Sequence, residues 1–363
     1  MSEYNLFNSQ HGESSRAALN DPILKKELVL CESLYIYLCL IEINDDKVFL
    51  DHMYPFNLIF HKPSLLYALE RDKLSPLLLN SIFALSSRLS PHPKFQHIEA
   101  FKTGQDFATI ARKILLDPDD FGSCAIDKPR LEVVQSAIFL SAYEFGFGNF
   151  NRAYIYLGIA LSQMKILGLN HDDFTNVSDD NIRNRDDWIN KEERRRTAWV
   201  VIMLENTASA INGRAKPFEE HELKIFLPID DVAFELAVGN VSNRDYIKNF
   251  NSSSTTEFGY LIRIVNIFSN VMAFIYFNEK EKQNNHNVQF NSSPYNSLSL
   301  KQALSQWSNS LPQHLELNAI NLNLAMMSMQ SGANSSGWCY AFMHAFAECS
   351  VFYLHSVRRF KII

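Results

Sequence analysis

The chain has 363 residues, 47% of them hydrophobic, which is enough apolar mass for a sizeable core. Its net charge of −6 excludes broad electrostatic attraction to DNA or RNA. The N-terminus, MSEYNLFNSQHGESS, lacks the basic start and apolar core of a secretory signal. Five scattered cysteines, Cys31, Cys39, Cys124, Cys339 and Cys349, contain no CxxC half-site and read as reduced, buried thiols.

Residues 1–20 read as a disordered tail or linker stub. Asp21 and Pro22 then open a helix whose apolar face carries Leu24, Leu28, Cys31, Tyr35, Leu38 and Ile41. Around 48–63, Pro55 and Pro63 break helices, and His61-Lys62-Pro63 reads as a stop. His61 reads as a helix-boundary residue, because no Asp, Glu or His stands at a spacing that would make it a base. Leu77–Leu89 and Phe101–Leu116 read as helices, with a polar loop over 117–130.

Leu131–Leu169 is the organising stretch. Leu131, Val134, Ile138, Ala142 and Phe145 recur at helical spacing, and Gly146, Gly148 and Asn149 break the pattern. Ala153, Leu157, Ala160, Met164 and Leu167 form the next stripe, and Gly168 stands where a helix end requires positive φ. The spacing predicts a buried antiparallel helical hairpin.

The polar run 171–190 carries Asp pairs without the third Asp of a magnesium-binding helix, so it reads as a solvated loop. Asn190 and Glu193 have the spacing of a capping box for the helix that follows. Glu192 and Arg196 stand four apart, close enough to pair. Arg194–Arg196 point in three directions and have acidic neighbours. They therefore read as a brace around a buried Trp199, not as a nucleic-acid patch.

Phe258–Phe277 is long and apolar, but Arg263, Asn266, Ser269 and Asn270 within it favour a buried core helix over a membrane span. The region 237–257 is polar and marks a candidate subdivision, and 278–299 reads as a flexible loop. Trp307 and Leu311 anchor a short helix that Pro312 stops, and Trp338–Phe360 forms a last helix. No phosphate loop, nucleophile elbow, HExxH or fixed repeat is found. The expected fold is all-α: antiparallel helical hairpins packed into one large unit over 21–363, with long polar loops.

Four phrases in order resemble the middle homology region of fungal zinc-cluster transcription regulators. The first is the opening segment to His61-Lys62-Pro63. The second is the hairpin, with Val134-Gln135, Tyr156, Gly158, Ala160 and Leu167-Gly168-Leu169. The third is Glu193, Arg195, Arg196 and Trp199, followed by Gly213-Arg214 and Leu227-Pro228. The fourth is Leu304-x-x-Trp307-x-x-x-Leu311-Pro312. Ala215 and Leu204-Glu205 depart mildly from the family pattern.

The resemblance implies a nuclear, non-enzymatic regulatory region of an RNA polymerase II transcription regulator. Its structural motif residues are Gln135, Gly168, Glu193, Arg195, Arg196, Trp199, Gly213, Arg214, Pro228, Trp307 and Pro312. In that family a separate N-terminal cluster of six cysteines holds zinc and reads DNA. The 363 residues carry no such cluster, so zinc and DNA are expected only through an upstream module, trimmed from the sequence or lost. Transcriptional co-regulators, a homodimer and a small-molecule effector are the partners the resemblance allows, with no membrane. The competing readings are an all-helical enzyme or ligand-binding protein with an apolar pocket, which would need convergent catalytic groups, and a helical interaction scaffold.

Overall fold

In a computed structural model of the chain, the structure describes residues 53–89, 95, 97–118, 122–171, 185–219, 221–238, 245–247, 249, 255–283, 296–331 and 336–359. The expected tail over 1–20 and the helix starting at Asp21 lie outside them. Among the described residues there are helices, turns and one isolated parallel bridge between His171 and Lys224, and no strands. The all-α expectation holds. Chain contacts divide the molecule into two compact units.

The first unit holds α1 (Lys62–Glu70), α2 (Pro76–Ser86), α3 (Gln105–Leu116), α4 (Leu131–Gly146) and α5 (Phe150–Ile166). His61-Lys62-Pro63 starts a helix instead of stopping one. The His61 ring Nδ1 accepts the Ser64 N–H at 3.3 Å, and Pro63 occupies the first turn, where its missing N–H costs nothing. Ser75 and Pro76 repeat the device at α2.

α4 packs on α5 and α2, and α2 packs on α3. Val133, Val134, Ala137, Ile138, Phe139 and Leu140 on α4 are all fully buried, which explains why the helix reads as apolar on most sides. The helix expected from Phe101 begins at Gln105, because Gly104 lies against α2. A Cβ on Gly104 would stand 1.9 Å from the Ala84 carbonyl oxygen, so only glycine allows this approach. Gly168 closes α5 at φ +65°, and the Leu169 N–H returns to the Met164 carbonyl at 3.0 Å.

The second unit holds α7 (Asp231–Glu235), α8 (Glu257–Gln283), α9 (Ser297–Ser310), α10 (Ala319–Ser331) and α11 (Ser336–Arg359), apart from Ser331. A further helix, α6 (Arg185–Asn212), contributes residues 189–197 to the first unit and its remaining residues to the second. The capping box at Asn190 is not formed: α6 begins five residues earlier, because Trp188 and Ile189 are buried and extend the helix in the N-terminal direction.

α8 packs on α11 and α9. Its span Glu257–Phe277 is long and apolar enough to cross a membrane, but 89% of that window is buried inside the protein, as a core helix requires. The loop expected over 278–299 is shorter than read, since α8 runs to Gln283 and α9 starts at Ser297 under an Asn296 cap. α10 has no counterpart in the sequence reading. Among the described cysteines, Cys339 is buried, Cys124 is half-buried and Cys349 is exposed, so the buried-thiol expectation holds for Cys339 alone of these three.

Candidate functional site

The third sequence phrase folds into two separate braces, one in each unit. In the first unit, one turn of α6 carries Glu192, Glu193, Arg195 and Arg196. Glu192 is buried and holds both arginines: its carboxylate accepts from Arg195 and, at 3.0 Å, from the Arg196 Nε. Arg196 also donates to the Leu58 carbonyl at 3.2 Å. Arg195 and Arg196 are only 4% and 1% exposed, so neither presents a cationic surface. Arg194 bonds the Leu167 carbonyl at the end of α5 at 3.3 Å, and Gln135 donates to Thr197 at 3.3 Å.

Glu193 has a role the capping box did not suggest. Its carboxylate accepts the His61 backbone N–H at 2.8 Å, an N–H ahead of α1. Burial pushes the Glu193 carboxyl from 4.5 up to about 7, against the opposing pull of the His61 N–H and Arg196. The group therefore titrates near neutral pH.

In the second unit, Trp199 is fully buried and its indole N–H donates to the Phe226 carbonyl at 2.7 Å. Gly213 ends α6, and the Arg214 N–H returns to Ser209 at 2.9 Å. The Pro228 carbonyl accepts the Thr256 hydroxyl at 3.1 Å. Trp307 donates to the Tyr260 carbonyl at 3.0 Å, and Pro312 follows the end of α9 as expected.

The residue that sequence reading missed here is Asp245. Arg263, buried on α8, reaches its carboxylate at 2.5 Å, and also reaches Thr255 and the carbonyls of Tyr246, Ile247 and Asn249. The signal was present: an arginine inside an apolar helix demands a buried acid. In the first unit, Glu144 is likewise buried and bonded to Arg112 at 2.5 Å and to Asn149 at 2.7 Å.

These clusters are ion pairs and main-chain anchors. No group of three or more His, Cys, Asp or Glu side chains able to hold a metal ion occurs among the described residues. What the arrangement does chemically is hold helix ends and loops in place.

The fungal specific transcription factor domain family matches residues 47–309. An uncharacterised transcriptional regulatory protein of Schizosaccharomyces pombe is 25% identical over 307 residues, covering 81% of this chain and 30% of the relative. The Zn(2)-C6 fungal-type transcription factor FTF1c of Fusarium oxysporum f. sp. lycopersici is 24% identical over 194 residues, covering 53% and 20%. FTF2 of the same organism is 24% identical over 185 residues, covering 50% and 17%. The chain thus spans less than a third of the length of these relatives. No solved structure matches it.

Proposed function

The chain belongs to the fungal specific transcription factor domain family, and we propose that it sets the output of a zinc-cluster DNA-binding module carried by the same regulator. It is a regulatory region of a fungal transcription regulator, and the relatives that match it are transcription regulators, a class that is not usually enzymatic. The single observation that carries the reading is the family match across most of the chain. The interior supports it: the arginines that could have met DNA, Arg195 and Arg196, are buried on Glu192.

DNA reading, and the zinc it needs, belong in this proposal to a six-cysteine module outside these 363 residues. The site of action is the nucleus. Co-regulators act on the helical surface, a small-molecule effector tunes it, and two copies work as a homodimer. The test is the transcript that encodes the chain, mapped to its start. Six in-frame cysteines upstream of Met1, with two CxxC pairs and a basic run, are expected. An in-frame stop directly upstream of Met1 would overturn the attached-module reading.

A further inference from the structure

α8 is a core helix, yet Asn266, Ser269 and Asn270 recur along it at steps of three and four, so they share one face, and all three are buried. Lys216, in the loop after α6, lays its ammonium on that face. It donates to the Asn270 amide oxygen and, at 3.4 Å, to that of Asn266. Ser269 is 1% exposed, and its hydroxyl has no hydrogen-bond partner. A helical serine has a ready partner in the carbonyl four residues back. Ser81, Ser86 and Ser350 each use it. Ser269 does not, which leaves its hydroxyl unspent beside the Lys216 ammonium.

Asn206 on α6 repeats the anomaly: it is 4% exposed, and its amide oxygen has no partner. Two sets of contacts fix its level against α8. At one end Trp199 reaches the Phe226 carbonyl, the Phe226 ring lies 4.4 Å from that of Tyr246, and Arg263 bonds the Tyr246 carbonyl at 3.2 Å. At the other end the Tyr276 hydroxyl donates to the Ile211 carbonyl at 2.8 Å, and a Cβ on Gly213 would stand 2.6 Å from the Tyr276 ring. α6 and α8 thus run in the same direction, with residues 199 to 211 alongside 263 to 276. That register sets Asn206 level with Asn270 and Ser269.

We propose that the seam between α6 and α8 binds a free α-amino acid. This rests on the small-molecule effector proposed above and supplies its chemical class and its site. Ligand sites between helices work through a few converging polar groups. The α8 side offers donors, the Lys216 ammonium and the Ser269 hydroxyl, which suit a carboxylate. The α6 side offers acceptors, the Asn206 amide oxygen and the buried carboxylate of its neighbour Glu205, which suit an ammonium. A zwitterion meets both demands at once; a simple acid or a simple amine meets one. A buried polar atom without a partner is costly, and this ligand relieves the cost at Ser269 and Asn206 together.

The experiment is calorimetric titration of the 363-residue chain with each standard L-amino acid up to about 5 mM, repeated for Ser269→Ala, Asn206→Leu and Lys216→Met. At least one amino acid is expected to bind, while its N-acetyl derivative and its decarboxylated amine do not. Each variant should weaken binding at least about tenfold. Ser269→Ala and Asn206→Leu remove groups that lack partners, so both should melt no lower than the parent without ligand. No heat with any amino acid at that concentration overturns the inference, and leaves a buried water as the occupant. Binding of the N-acetyl derivative as tight as that of the free amino acid also overturns it. So does an affinity unchanged in Ser269→Ala and Asn206→Leu. Heat is read without DNA or a reporter gene, so its absence leaves the transcriptional reading standing.

Discussion

Replacing Glu193 by Gln should stabilise the protein at alkaline pH and do little at acid pH. The carboxyl sits at about 7 in the folded chain and near 4.5 when unfolded. Folding therefore favours the protonated form. Below pH 4.5 both states hold the proton and nothing is lost. As pH rises from 4.5 the unfolded chain ionises first, and the penalty grows until it is complete above pH 7. The gap, at about 1.4 kcal/mol per pH unit, has an upper value of about 3.5 kcal/mol. A gain of about 2–3 kcal/mol is expected. The Gln carbonyl oxygen can still accept the His61 N–H, so the anchor ahead of α1 survives the change. Urea denaturation of parent and variant at pH 5 and pH 8 measures it. A gain of the same size at both pH values, or a loss at pH 8, would refute the reasoning.

Three further substitutions follow from the packing. Arg263→Ala leaves Asp245 as a buried, uncompensated carboxylate and should cost about 3–5 kcal/mol, read by chemical denaturation; a cost below 1 kcal/mol would count against the brace. Gly104→Ala forces a methyl into the Ala84 carbonyl and should cost about 1–3 kcal/mol, where an ordinary exchange at a helix start would be neutral or stabilising. Trp199→Ala should cost about 3–5 kcal/mol, and an unchanged melting temperature would show that the indole does not hold the second unit.

The hairpin was legible because period and burial largely coincide: Val134, Ile138 and Ala142 recur at helical steps and are buried, while Leu131 at the start of the same stripe is half-buried and Phe145 at its end is exposed. The pair between Glu192 and Arg196 was legible from four-residue spacing alone. What failed were boundaries and distant partners. Pro63 starts α1 where the sequence suggested an end, since proline serves both roles and only the His61 side-chain cap decides between them. Glu193 sits at the correct offset for a capping box, but buried Trp188 and Ile189 carried the helix past Asn190. Asp245 lies 18 residues from Arg263, beyond any helical spacing rule. α10 escaped notice because Ile320, Leu322, Leu324 and Met327 are exposed, so its apolar residues do not mark the buried side.

The central claim is that this helical region governs transcriptional output. The most direct measurement fuses it between a zinc-cluster DNA-binding module and an activating segment, and reads reporter transcript per unit of promoter occupancy. The account predicts that the intact chain changes this ratio relative to a fusion lacking it, and that Arg263→Ala, which removes the buried partner of Asp245, abolishes the change. Equal ratios with and without the chain would contradict it.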